Sequence, residues 1–189
     1  MSELIQYIES QLAINKNDAE KIATLFEEVN LSKGEFFCHA GERCEKLAFV
    51  HSGFVRIFKE TEFKEVTQWV SSQGGFVTDL SSLLFQRPSR WEIQALTDCE
   101  LYSIGGSDYR ALGNKIENWP TLEKQFIASC FVTLENRVFS HLSSSAEERY
   151  DQLFEYNQDL FKFVPQQYLA SMLGMSPETF SRIRAKKVS

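Results

Sequence analysis

Between about Leu31 and Ile104 the chain is cut into short apolar runs by glycines and turn residues. No other feature restricts its fold so strongly. The runs are Glu35-Phe36-Phe37, Leu47 to Val50, Phe54 to Phe58, Val66 to Val70, Trp91 to Leu96 and Leu101 to Ile104. Gly34, Gly41, Gly53 and Gly74-Gly75 punctuate them. Such runs are too short for independent helices and match the length of strands. Strands at this spacing predict an antiparallel β-barrel or jelly roll. Helical patterns on both sides make the fold class α+β.

Before the strands, Asn17 with Glu20 three residues on is a capping-box-like start. Ile22, Leu25, Phe26 and Val29 then form an apolar stripe. After the strands, a long helix is expected from Pro120 to about Leu142. Leu122, Phe126, Cys130, Leu134, Val138 and Leu142 recur every four residues there, and Ile127, Phe131 and Phe139 widen the stripe. An apolar face this broad needs cover on two sides. Ser143-Ser144-Ser145 reads as a hinge, with Ser145 and Glu148 forming an S-x-x-E capping box for a new helix.

The segment Val164 to Lys187 reads as two short helices around a turn at Leu173-Gly174-Met175. Leu169, Met172 and Leu173 make one buried face, and Pro165 suits a first helical turn. Gly174 can take the positive φ that a sharp stop requires. Ser176 is a good N-cap, Pro177 fits the first helical position, and Glu178 lies near the positive end of the helix dipole. Phe180 and Ile183 share the inner face. Glu178, Ser181, Arg182 and Ala185 lie towards another. Arg182 can bond guanine bidentately, Glu178 can accept from cytosine, and Ser181 suits several bases. Periodicity alone also fits an ordinary helical hairpin with a solvated charged face.

The segment resembles the helix-turn-helix of the cyclic-AMP receptor protein/FNR (Crp/Fnr) family of bacterial transcription regulators. Glu178-Thr179-Phe180-Ser181-Arg182 matches the E-x-x-S-R motif of the FNR-like branch. The resemblance implies that Glu178, Ser181 and Arg182 contact bases of a TTGA-type half-site. It implies that Ser176 and Thr179 touch phosphate, and Lys186 joins them as a basic phosphate contact. It extends over nearly the whole chain and is nearest the short members of the family common in Bacteroidetes. Lys33-Gly34-Glu35, Ala40-Gly41-Glu42 and Phe49 to Arg56 resemble strand-and-turn motifs of the cyclic-nucleotide-binding fold, and Ala146 to Tyr150 resembles an "AEERY" domain start. The domains implied are a sensor over residues 1–118, a dimerisation helix over 119–142 and a helix-turn-helix unit over 143–189. The chain ends after the recognition helix, so a β-wing is not expected.

Cyclic-nucleotide binders of this family carry a cassette in which helix-start amides and a guanidinium meet one phosphate. Here Asp79 falls at the ribose-binding position and Ser89 at the phosphate-binding arginine. Arg90 is one residue late, which on a strand reverses its face. Arg87 and Arg90 are the remaining anion contacts. The cassette is therefore degenerate, and binding of cyclic AMP is disfavoured. The effector pocket, if used, takes Asp79, Ser89, Arg90 and Arg87, with the effector unknown.

Net charge is −6, so a nucleic-acid contact must come from a local patch. Arg182, Arg184, Lys186 and Lys187 against Glu178 supply one. The N-terminus lacks a signal-peptide pattern and no run is long enough to span a membrane, so a cytoplasmic location is expected. Cys38, Cys44, Cys99 and Cys130 are scattered and read as free thiols. No metal or iron–sulfur cluster is expected, and His39 and His51 read as strand-end or surface residues. No G-x-S-x-G, H-E-x-x-H or G-x-x-x-x-G-K motif is present, so no enzyme is expected. The partners implied are double-stranded DNA, a second copy of the chain, RNA polymerase and a small effector. The competing reading is a ligand-binding module without DNA-binding activity.

Overall fold

The computed structural model describes residues 1–12 and 14–188. Ser189, the expected end of the C-terminal unit, lies outside them. In chain order the elements are α1 (Ser2–Leu12), α2 (Lys16–Ala23), β1 (Glu27–Leu31), β2 (Phe36–Cys38), β3 (Lys46–Ser52), β4 (Val55–Glu60), β5 (Glu65–Ser71) and β6 (Phe76–Val77). Then come α3 (Leu80–Phe85), β7 (Glu92–Ala95), β8 (Cys99–Gly105), α4 (Gly106–Ala111), a single 3-10 turn and α5 (Trp119–Ser143). Four helices close the chain: α6 (Ala146–Tyr156), α7 (Leu160–Phe163), α8 (Gln166–Met172) and α9 (Pro177–Val188).

The strands form two four-stranded antiparallel sheets, ordered β1-β8-β3-β6 and β2-β7-β4-β5. This is a β-sandwich of jelly-roll order. The closed barrel that was the other expectation is not formed. Each sheet keeps two edge strands, so no ring of hydrogen bonds closes.

Burial along β3 explains its apolar run. Ala48 and Val50 face the other sheet, in a cluster with Val55, Ile57, Ile93 and Leu101. Leu47 and Phe49 face the opposite way, into a second cluster with Leu4, Ile8, Phe26, Ile104 and Trp119. A strand covered on both faces loses the apolar–polar alternation of a half-exposed one. The β3–β4 corner turns at Gly53, φ 90°, where a Cβ would lie 2.5 Å from the Asp98 carbonyl oxygen. Only glycine satisfies both demands.

The cap of α2 is Asn15, not Asn17: its side chain accepts from Asp18 N–H. Asn15 is extended and so free to cap, whereas Asn17 is already helical. The Ser145–Glu148 capping box forms in full.

Helix α5 runs within a residue of its expected limits. Its every-four row is not one face. At about 100° per residue such a row precesses by about 40° per step. Leu122 and Phe126 pack on the α1–α2 cluster. Leu134, Val138 and Leu142, further along the row, are exposed at 47%, 51% and 82%. Phe131 and Phe139 extend this bare stripe.

The C-terminal helices share a third cluster, centred on Phe180, which is fully buried with Tyr150, Phe161 and Leu169. Phe54, Val70 and Leu96 of the sandwich join it. Helix α8 docks on β5, where Thr67 N–H donates to Ser171 Oγ at 3.0 Å. Beside it Arg56 is 1% exposed, with its guanidinium 3.6 Å from the Tyr168 ring centroid and 4.0 Å from that of Phe58. Its Nε donates to Thr67 Oγ1 and its Nη1 pairs with Glu65 at 2.6 Å. A buried guanidinium is tolerable only with such partners.

Candidate functional site

The turn between α8 and α9 forms as its residues dictate. Gly174 takes φ 65° and Met175 N–H reaches back to the Ala170 carbonyl, closing the end of α8. Ser176 Oγ accepts from Thr179 N–H at 3.2 Å, the bond of an N-cap. The Ser176 hydroxyl also holds the Glu178 carboxyl below its ordinary value. Phe180 and Ile183 are buried, while Glu178, Ser181, Arg182 and Arg184 are exposed. The three residues expected to contact bases thus stand on the open side of a helix anchored by its other side. Ser176 and Thr179 sit together at its N-terminus, with Ser176 Oγ donating to Thr179 Oγ1. Lys186 is less free than expected: Nζ pairs with Glu147 at 3.1 Å, and Lys187 pairs with Asp151 at 2.7 Å. Both pairs lie at the surface, where solvent screens them, so exchange for a phosphate costs little.

Of the four residues expected around an effector, three meet. Asp79 is 2% exposed and caps α3. Its Oδ1 accepts from Ser81 N–H at 2.8 Å and Ser82 N–H at 3.2 Å. Its Oδ2 accepts from Ser89 Oγ at 3.2 Å and Arg90 N–H at 2.9 Å. Arg90 therefore contributes its backbone, while its side chain lies near Trp91 at the surface. Arg87 is exposed near Phe85 and does not join the group. The carboxylate already engages the two helix-start amides, the hydroxyl and the loop amide. The donors of an anion site are present, and the chain's own anion occupies them.

Residues 28–115 match the family model of the cyclic nucleotide-binding domain. No curated protein is a significant match to the sequence. Among solved structures, the c-di-GMP responsive global regulator CLP of Xanthomonas campestris is 18% identical. Its alignment covers 91% of each chain with a TM-score of 0.66. The catabolite activator protein of Thermus thermophilus is 21% identical over 95% of this chain and 85% of its own, TM-score 0.61. FixK2 from Bradyrhizobium japonicum is 16% identical over 85% and 83%, TM-score 0.69. The fold is thus that of a cyclic nucleotide-binding domain plus helices, arranged as in catabolite-activator-type regulators.

Between the cyclic nucleotide-binding domain and α5 lies a cavity of about 420 Å³. Tyr7, Trp69, Phe76, Thr78, Cys130 and Arg137 are among its lining residues. Trp69 and Arg137 are additions to the sequence reading. Arg137 Nη2 donates to the Gln68 carbonyl at 2.7 Å and its guanidinium covers the Trp69 ring at 4.5 Å. Its signal in the sequence is a lone arginine on the sandwich side of an apolar helix. His39 pairs with Glu92 and His51 with Glu3, each at 3.1 Å and each partly exposed. Among the described residues no three His, Cys, Asp or Glu are placed to hold a metal ion. None of the described helices is long and apolar enough to cross a membrane.

Proposed function

We propose that the chain is a DNA-binding transcription regulator of the Crp/Fnr type, acting in the cytoplasm as a two-fold dimer. The observation that carries this is the division of α9. Phe180 and Ile183 bind it to its support, while Glu178, Ser181 and Arg182 stand together on the exposed side. In this reading residues 1–118 form the sensor, 119–142 the dimerisation helix and 143–189 the helix-turn-helix unit. Ser176, Thr179 and Lys186 hold the phosphate backbone, which positions the helix, and the three exposed polar residues specify sequence.

The bare stripe of α5 supports the dimer. Phe131, Leu134, Val138, Phe139 and Leu142 form more exposed apolar surface than a single helix leaves without a partner. A second copy packed along it places two α9 helices around one two-fold axis, as half-sites about one DNA turn apart require. The domain's ligand class is set by Asp79. With its carboxylate on Ser81 N–H, Ser82 N–H, the Ser89 hydroxyl and Arg90 N–H, a cyclic-nucleotide phosphate finds those donors already engaged.

Fluorescence anisotropy with labelled duplexes carrying inverted TTGA half-sites tests the reading. Wild type is expected to bind with steep salt dependence, and Arg182→Ala to lose about 1–3 kcal/mol of discrimination while remaining dimeric. Absence of salt-sensitive binding to any duplex leaves the ligand-module reading instead. Calorimetric titration with cyclic AMP and cyclic GMP is expected to give no binding heat at millimolar concentration.

A further inference from the structure

A second cleft lies beyond the first, where the end of α5 meets α6 and the turn before α9. Its volume is about 300 Å³. Arg137, His141, Arg149, Gln152, Trp69 and Tyr156 supply its chemistry, and its lining holds no Asp or Glu. That is unusual in a chain with net charge −6. Neither arginine forms an ion pair among the described residues. Arg137 donates one Nη2 bond to the Gln68 carbonyl. Arg149 donates Nε to the Leu173 carbonyl at 2.9 Å and Nη1 to the Ser144 carbonyl at 2.6 Å. Each guanidinium has five N–H donors, so both retain donors beyond these bonds. Burial pulls the Arg137 pKa below its ordinary value, as expected for a cation with no anion beside it.

Two part-buried guanidiniums without carboxylates, in a cleft that also offers a histidine ring, are a receptor for an oxyanion. His141 Nδ1 donates to the Arg137 carbonyl at 2.9 Å, which leaves Nε2 for a ligand. The Trp69 and Tyr156 rings, 6.0 Å apart and tilted by 56°, add an aromatic wall. We propose that this cleft binds a small organic oxyanion, with a phosphoryl or carboxylate group between Arg137 and Arg149 and a planar portion against Trp69.

The position gives the ligand leverage. Arg149 already ties the α5 terminus at Ser144 to the Leu173 carbonyl in the turn before α9. His141 lies against Gly174 in the same turn. Of the cleft residues on α5, Thr133, Arg137 and Ser140 lie away from its bare stripe, while Asn136 and His141 lie towards its edges. At about 100° per residue, Thr133, Arg137 and Ser140 face nearly away from Phe131, Phe139 and Leu142. A second copy along the stripe therefore leaves the Arg137 side of the cleft open. Binding stands without the DNA-binding reading; only its effect on α9 rests on that reading.

The test is titration of the full chain at low ionic strength with inorganic phosphate, adenosine 5′-monophosphate and citrate, followed by calorimetry and tryptophan fluorescence. The nucleotide and citrate arms separate a phosphoryl from a carboxylate ligand. Saturable binding of at least one probe is expected. Arg137→Gln is expected to weaken it at least about tenfold, as loss of a charge-assisted contact does. Arg149→Lys keeps the charge but not the fork, and is expected to weaken it less. Lys16→Gln, at an exposed lysine of α2 paired with Glu20, is expected to leave it unchanged. Circular dichroism checks that each variant is folded. The proposal is overturned if no probe binds the folded protein at millimolar concentration. Binding that ignores Arg137→Gln overturns it as well. So does an Arg137→Gln variant that loses duplex binding but keeps small-anion binding.

Discussion

Single residues here do work that their type alone does not reveal. Asp79 falls at a ligand-binding position in the sequence, yet its carboxylate accepts four hydrogen bonds from its own chain. Removing it leaves buried donors unsatisfied, so Asp79→Ala is expected to cost about 3 kcal/mol in urea denaturation, whereas Asp79→Asn costs less. Spacing placed Asp79, Ser89 and Arg90 near one another. It did not reveal that the carboxylate would satisfy the others, because that depends on the α3 cap closing onto the loop before β7. Arg56 is the opposite case. In the run Val55 to Glu60 its alternation with Val55 and Ile57 places it on the outer side of a sheet, where arginine is normally solvated. It is buried instead, because α8 brings Tyr168 over it. That contact joins residues more than 100 positions apart, which no local pattern encodes.

At the scale of elements, caps and turns were legible where the signal is chemical. Ser145 with Glu148, Gly174, and Ser176 before Pro177 form as their types dictate. The cap of α2 shifted to Asn15 because Asn and Asp are both plausible caps along Asn15 to Asp18. The capping box also sets a pH response. Its bonds to Ser145 hold the Glu148 carboxyl below its ordinary value of 4.5, and Lys186 and Lys187 do the same for Glu147. A carboxyl depressed in the folded state stabilises above its unfolded value and loses that contribution as pH falls through its folded one. Circular dichroism at 222 nm is therefore expected to hold from neutrality to about pH 5 and to weaken below about pH 4, and Glu148→Gln to flatten that acid limb. Helix α5 was legible in extent and misleading in face, because an every-four row spirals. Its exposed end is the part that predicts assembly. Phe139→Glu with Leu142→Glu is expected to halve the mass seen in sedimentation equilibrium without unfolding the chain, since both residues are exposed in the single copy. An unchanged mass, dimeric or monomeric in both proteins, contradicts the α5 interface.

For the whole molecule, the apolar runs and glycines foretold strands in antiparallel order and left barrel and jelly roll open; the structure takes the two-sheet jelly roll. Closure would need the edge strands β1 and β6 of one sheet to pair with β2 and β5 of the other, and run lengths carry no information about that. The sandwich then serves as a platform: α5 leaves it with one face covered, and the C-terminal helices share a core with Phe54, Val70 and Leu96. In a chain with net charge −6, α9 presents Arg182 and Arg184 on its exposed side, so DNA affinity must be local and its symmetry must come from assembly. The most direct measurement is selection of bound duplexes from a random pool, followed by footprinting of the winner. A two-fold site with TTGA-type halves centred about 10 base pairs apart, both protected together, is expected. Enrichment of nothing, or of a single asymmetric site held by one copy, would contradict it.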